Sequence, residues 1–312
     1  MKVGLYSISC SGTWFKDRPP LSVEEFVDTA KELGYSGVEI DLKRPHGSPL
    51  DLDTNRCLEI KEYVHRQGLE LFAVAANNNF ATTVGEHLEN ELLMVREQIR
   101  VAKDLGAPIL RLFAAWRGIV KREDIASYEP TEYPDTYGAL KYQQIQNVLA
   151  ALKEVCGYAE DTGVTLALQN HYPVVKNYHD MLNFVKWVDS PSLKCCYDAP
   201  CEGWEYVHQT DEYQSKAVHD VGALQVLTHV NGEFVETIDG SVEPFNHNTS
   251  DYETVANYPA FVKALKEIGY DGYLSYEFCH MPFLQGKILG YNDYIKNQLR
   301  LARIYLENLI NS

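Results

Sequence analysis

Five apolar segments of the chain end in residues that bind cations or move protons. They read Val38-Glu39-Ile40-Asp41, Leu168-Gln169-Asn170-His171, Cys196-Tyr197-Asp198, Leu227-Thr228-His229-Val230-Asn231 and Leu274-Ser275-Tyr276-Glu277. In the interior of a closed sheet the default occupant is Val, Ile or Leu, so a polar residue at a strand end asks for a reason. A buried hydrogen bond would account for any one of them alone. Taken together, Asp, His and Glu with an amide oxygen form a hard-to-borderline donor set. Such a set suits Mn²⁺ first, then Mg²⁺ or Co²⁺, and it is poor for a thiolate-type zinc site. A cation held there polarises a carbonyl and stabilises the charge that develops when the neighbouring carbon loses its proton.

Residues so far apart in sequence meet only if the elements between them repeat. One pattern does recur: an amphipathic helix, a glycine, then a short apolar run. It appears around Gly34, Gly68, Gly106, Gly163 and Gly269, before Gly37-Val38-Glu39-Ile40, Leu69 to Ala73, Ile109 to Phe113, Val164 to Leu168 and Tyr273 to Tyr276. Each glycine takes the left-handed conformation that ends a helix, and the chain turns back into a strand. Three further apolar runs, Val3 to Ile8, Leu193 to Tyr197 and Leu224 to Thr228, bring the strands to eight. Eight βα units predict an α/β fold, a (β/α)₈ TIM barrel, with residues 1–312 as one domain. The competing doubly wound sheet finds no glycine-rich phosphate loop in this sequence. In a barrel the polar strand ends gather at the C-terminal rim, where βα loops build active sites. Two connections, about 115–138 and 232–251, are too long for ordinary turns. They carry Trp116, Arg117, Tyr128, Tyr133, Pro134 and Tyr137, and Phe234, Phe245, Asn246 and His247. That content predicts folded lids over the mouth, with oligomer contacts as the other reading.

Composition narrows the partners. Lys plus Arg number 28 against 44 for Asp plus Glu, a formal balance of −16, so the molecule's field repels polyanions and speaks against nucleic acid. No stretch approaches the roughly 20 apolar residues of a membrane span. The run from Met1 to Ser7 is too short for a signal h-region and reads as a first strand. Seven cysteines form no CxxC pair, which fits reduced thiols in a cytoplasm, Cys195 and Cys196 included, better than a disulfide framework.

Leu166 to His171, the Asp198 strand end, Thr228-His229 and Ser275-Tyr276-Glu277 resemble the sugar phosphate isomerase/epimerase family over essentially the whole chain. That family has the xylose isomerase-like TIM barrel. The resemblance implies one divalent cation held by Gln169, Asp198, His229 and Glu277. It also implies two metal-bound glutamates acting as bases on opposite faces of the substrate. Here the strand-five position is Gln169, which takes no proton. His171 is the expected replacement base, since imidazole titrates near neutral pH, and a hydrogen bond to substrate is its other reading. Glu277 is expected to orient the metal and relay a proton. Cys201 stands where sugar epimerases of the family often carry a substrate-binding His.

The loop Lys43-Arg44-Pro45-His46-Gly47-Ser48-Pro49-Leu50-Asp51 is fixed by two prolines and a glycine. It is similar to a subset of the family that includes the large subunits of C-glycoside deglycosidases. That similarity implies a glycoside already oxidised to a ketone at C3, removal of the C2 proton, elimination of the aglycone from C1, and a second, smaller polypeptide as partner. The expectation is therefore a metal-dependent lyase acting on an oxidised sugar or glycoside. A sugar isomerase or epimerase in which His171 and Glu277 form the acid–base pair is the alternative, and a non-catalytic binding subunit is the alternative from another class. Glu39, Arg44, His46, Arg111, Trp116, Asn231 and His280 are the expected contacts to substrate or leaving group. An apurinic endonuclease on the same barrel would need three metals and a basic face, and the sequence offers neither.

Overall fold

The computed structural model describes residues 1–13, 19–116, 118–122, 125–127, 138–202, 210–245, 256–280 and 291–312. Eight parallel strands close a barrel: β1 (Lys2–Tyr6), β2 (Gly37–Asp41), β3 (Glu70–Ala75), β4 (Ile109–Leu112), β5 (Thr165–Gln169), β6 (Leu193–Cys196), β7 (Gln225–Val230) and β8 (Tyr273–Tyr276). They follow one another around the ring in chain order, and β1 closes it by pairing with both β2 and β8. Helices α1 (Val23–Glu32), α2 (Thr54–Arg66), α3 (Gly85–Leu105), α4 (Gly138–Thr162), α5 (Tyr178–Val188), α6 (Asp211–Val221), α7 (Tyr258–Glu267) and α8 (Tyr291–Asn311) connect and surround them. None of the described helices is long and apolar enough to cross a membrane.

Local chemistry sets the helix ends. Ser22 and Glu25 form a capping box at the start of α1, and Asp53, Asn177, Thr210 and Asn257 cap α2, α5, α6 and α7 through their side chains. Each such cap stabilises its helix by about 1 kcal/mol. The five joint glycines all have φ between 73° and 82°, as the helix–glycine–strand pattern requires.

Most strands differ from the apolar runs by one or two residues at an end, and three of these differences bear on the site. β1 stops at Tyr6, and Ser7–Cys10 forms a 3₁₀ turn instead of more strand. The serine hydroxyls of that turn replace ladder bonds, accepting from Asp41 N–H (2.8 Å, Ser7) and Phe278 N–H (2.8 Å, Ser9). β6 ends at Cys196 rather than Tyr197, whose N–H donates to the Gln225 side chain. β7 runs two residues beyond the apolar run, so that His229 lies within the strand.

The two long connections each contain a two-stranded antiparallel sheet, Val120–Arg122 with Ile125–Ser127 and Phe234–Glu236 with Val242–Pro244. Arg117, Tyr128, Tyr133, Pro134, Tyr137, Asn246 and His247, on which the lid expectation also rests, lie outside the described residues.

The barrel interior is layered. At one level Phe72, Ala73, Ala167, Cys196, Leu227 and Tyr273 pack together, with the Phe72 and Tyr273 rings stacked at 3.9 Å. Further along the strands the buried side chains become polar: Glu39, Arg111, Gln169, Asp198, His229, Ser275 and Glu277. The apolar plug excludes water from below, so the charges above it act on one another in a medium less polar than water.

Candidate active site

His229 is the centre of the polar layer. Its Nε2 faces both oxygens of Glu39 at 3.0 and 3.1 Å, and Ser275 Oγ donates to the same carboxylate at 2.7 Å. A carboxylate only accepts, so Nε2 carries the proton and Nδ1 is left to the other side of the ring. Nδ1 lies 3.4 Å from Asp198 Oδ2, 3.8 Å from Glu277 Oε2 and 3.5 Å from Gln169 Nε2. Tyr6 stacks on the imidazole at 5.2 Å and 15°, which fixes the plane of the ring. Strands β5 and β7, with residues just past the ends of β6 and β8, thus bring Gln169, Asp198, His229 and Glu277 around one point.

Electrostatics show what that point lacks. Burial alone would lower the His229 pKa, but Glu39, Asp198 and Glu277 outweigh it and hold the imidazole well above its usual value. Glu277 is pushed above the usual carboxylate range, chiefly by burial and also by Asp198 and Glu39, against the lowering pull of His229 and Arg111. Among the described residues, the imidazole proton and Arg111 are the charges that compensate the three acidic side chains of this buried layer. The residues fit a divalent cation on two counts. Gln169 Oε1 is buried with no hydrogen-bond partner. Ligating atoms of Asp198 and His229 fall in a group within 4.8 Å of one another that includes Cys196 Sγ. Cys196 was expected only as a buried thiol, and burial with the Asp198 charge beside it keeps that thiol protonated. It sits 3.5 Å from Asp198 Oδ1 and donates to it.

His171 is placed differently from the expectation in one respect. Its Nδ1 donates to the Tyr172 carbonyl at 2.7 Å, leaving the Nε2 lone pair available. The ring stands edge-on to Phe113 (4.8 Å) and Trp116 (5.0 Å), which themselves stack at 5.2 Å. Burial in that aromatic setting pushes its pKa down to about 4, so it does not titrate near neutrality.

The expected substrate contacts divide. Arg111 is buried in the polar layer, donating to Ala76 O (2.7 Å) and Tyr6 Oη (2.8 Å), while its Nε has no partner. Trp116 is half-buried beside His171. Asn231 is half-buried, and its backbone N–H and C=O both bond the Tyr258 hydroxyl. His280 lies against Phe278, with Nδ1 3.9 Å from Glu233. Three positions correct the expectation. Glu39 is fully buried with its oxygens committed to His229 and Ser275, which leaves them unavailable to substrate. Arg44 spends its fork on Asp51 within its own exposed loop, with two bonds of 2.7 Å. His46 is buried on Leu21 O (3.2 Å) and the Phe26 ring, where burial lowers its pKa. The loop after β2 is thus tied to itself and to α1.

The role of Glu39 carried a signal that spacing alone could have given. Inward-facing positions on a strand recur every second residue, and Glu39 pairs with Tyr6 across the β1–β2 register, which sets it beside His229 in the same buried layer.

The family described as the xylose isomerase-like TIM barrel matches residues 27–303. A fructoselysine 3-epimerase of Shigella flexneri is 29% identical over 182 residues, which are 55% of this chain and 59% of that protein. The chain therefore spans about 59% of the length of this curated relative. Among solved structures, a D-psicose 3-epimerase superposes with a TM-score of 0.73 at 12% identity, covering 100% of both chains. An L-ribulose 3-epimerase superposes with a TM-score of 0.68 at 16% identity, covering 99% of this chain and 94% of that one.

Proposed function

The chain belongs to the xylose isomerase-like TIM barrel family, and from that premise we propose that it is a divalent-metal-dependent sugar epimerase or isomerase. The observation that carries this reading is the convergence of Asp198, Glu277 and Gln169 on His229 Nδ1, with the Gln169 oxygen unpaired. Similarity to a fructoselysine 3-epimerase favours epimerisation over the elimination expected from the loop after β2, whose Arg44 and His46 are engaged elsewhere.

In this reading Gln169, Asp198, His229 and Glu277 hold the cation, Mn²⁺ by preference. When bound, the cation supplies Lewis-acid polarisation of the sugar carbonyl. Glu39 keeps His229 in the Nδ1-ligating tautomer. Glu277, held above the usual carboxylate range, removes the proton from the carbon next to the carbonyl. His171 Nε2 serves the opposite face of the substrate, because its Nδ1 is already committed to Tyr172 O. Arg111 binds a substrate oxygen through its unpartnered Nε, and Trp116 packs on the sugar ring.

A second reading, elimination from a 3-oxo-glycoside together with a smaller partner subunit, is favoured by one observation. Gln169 cannot be a base and His171 is a weak one, while elimination needs a single strong base. Incubation of the Mn²⁺-loaded chain with ketoses, fructoselysine and 3-oxo-glycosides, followed by product analysis, separates the two. An epimer with no released aglycone supports the first; a free aglycone replaces it with the second.

A further inference from the structure

We propose that Glu202 is a positioning residue for the metal site: acting through Asn170 it fixes the backbone of Asp198, so that cation affinity depends on a side chain that does not touch the cation. The inference rests on the metal-site reading above.

The backbone register of β5 with β6 ends at Gln169 opposite Cys196. One residue further on, the Asn170 side chain continues it. Its Oδ1 accepts the Asp198 N–H at 2.7 Å and its Nδ2 donates to the Asp198 carbonyl at 3.0 Å, so a side-chain amide makes both bonds of one more rung. A side-chain rung is only as rigid as the amide that makes it. The remaining Nδ2 hydrogen goes to Glu202 Oε1 at 3.1 Å. The same oxygen accepts the Tyr178 N–H at 2.7 Å, and the Tyr213 hydroxyl donates to Oε2. A single carboxyl group, 2% exposed, thus joins the end of β5, the start of α5, and α6.

Capping of α5 does not by itself explain it: Asn177 takes the Asp180 N–H and Glu202 the Tyr178 N–H, while the bonds to Asn170 and Tyr213 lie outside that helix end. The geometry of Asp198 does. Its Oδ1 is held by the His229 N–H at 2.6 Å, and its Oδ2 accepts from Gln169 Nε2 and lies 3.4 Å from His229 Nδ1. A rotation of the Asp198 backbone would break both relations. Burial pushes the Glu202 carboxyl up to about 7, a cost that a purely peripheral tie would avoid by lying at the surface.

The test is Mn²⁺ affinity, read by electron paramagnetic resonance of the free ion, for the full chain and four variants. Removing groups that orient metal ligands typically weakens binding ~10- to 100-fold, so Glu202→Ala should weaken it by at least about 10-fold. Glu202→Gln should restore affinity to within about 3-fold of wild type, since its oxygen can accept both N–H groups and its NH₂ can donate to Tyr213 Oη. Asn170→Ala should match Glu202→Ala, because it cuts the same link at its other end, and it carries the test if Glu202→Ala does not fold. Val64→Ala, a buried truncation in α2, controls for general destabilisation and should keep wild-type affinity. Wild-type affinity in Glu202→Ala or Asn170→Ala overturns the proposal, as does a Glu202→Gln variant as weak as Glu202→Ala. A wild-type chain that binds no Mn²⁺ removes the metal site itself, and this inference with it.

Discussion

The Glu202 carboxyl gives a stability prediction whose sign and size both follow from its surroundings. Burial holds its pKa at about 7 against an ordinary 4.5, with the bonds from Tyr213, Tyr178 and Asn170 opposing that rise. The folded chain therefore keeps a proton that the unfolded chain releases once the pH exceeds the ordinary carboxylate value. Where the native state binds more protons than the unfolded state, stability falls as pH rises. The contribution is fully present below the unfolded pKa and is lost as pH passes through the folded one. A gap of roughly 2.5 pH units corresponds to about 3 kcal/mol, of which about 2 kcal/mol falls between pH 5 and 8. Glutamine is neutral throughout, so Glu202→Gln should lack this loss. Urea unfolding of both proteins at pH 5, 6, 7 and 8 in EDTA keeps metal binding out of the comparison. Wild type should lose about 2 kcal/mol more than Glu202→Gln across that range. Parallel pH profiles would refute the burial argument, and a steeper profile for the variant would reverse its sign.

Other expectations concern the cluster around His229. Asp198→Ala and His229→Ala should each abolish stoichiometric Mn²⁺ in elemental analysis; full occupancy in both variants would show the ligand assignment to be wrong. Glu39→Ala should weaken Mn²⁺ binding by ~10- to 100-fold with the fold intact by circular dichroism, since His229 would lose the partner that fixes its tautomer. His171→Ala should retain the metal and lose ~10²- to 10⁴-fold in turnover, the usual range for an acid–base group; turnover near wild type would remove His171 from the chemistry.

The barrel was legible because its signals are local and repeated. A glycine at five helix ends and an apolar run after each name the strand that follows, whatever the rest of the chain does. The meeting of Gln169, Asp198, His229 and Glu277 was legible for a related reason: polar residues at buried strand ends are few, and their order along the chain is their order around the ring. The aromatic setting of His171 was not legible. It depends on Phe113 and Trp116, which reach the ring from the end of another strand, and sequence spacing does not report that approach. Arg44 and His46 misled because Arg and His in a proline-bound loop suit substrate binding and loop closure equally. Only the partners Asp51 and Leu21 distinguish the two. Glu202 escaped notice because it follows a masking motif, the Asp198 strand end, and makes its bonds to three elements at once.

The proposed reaction removes a proton from the carbon next to a sugar carbonyl with the help of a bound cation. Its most direct test is solvent exchange. The Mn²⁺-loaded chain is incubated in D₂O with fructoselysine, with free ketoses and with 3-oxo-glycosides, the metal is removed, and the proton next to the carbonyl is followed by NMR. Deuterium is expected at that carbon for at least one member of the panel, with no exchange after EDTA treatment or in Asp198→Ala. Stoichiometric Mn²⁺ with no exchange in any member, or exchange that persists in Asp198→Ala, would contradict it.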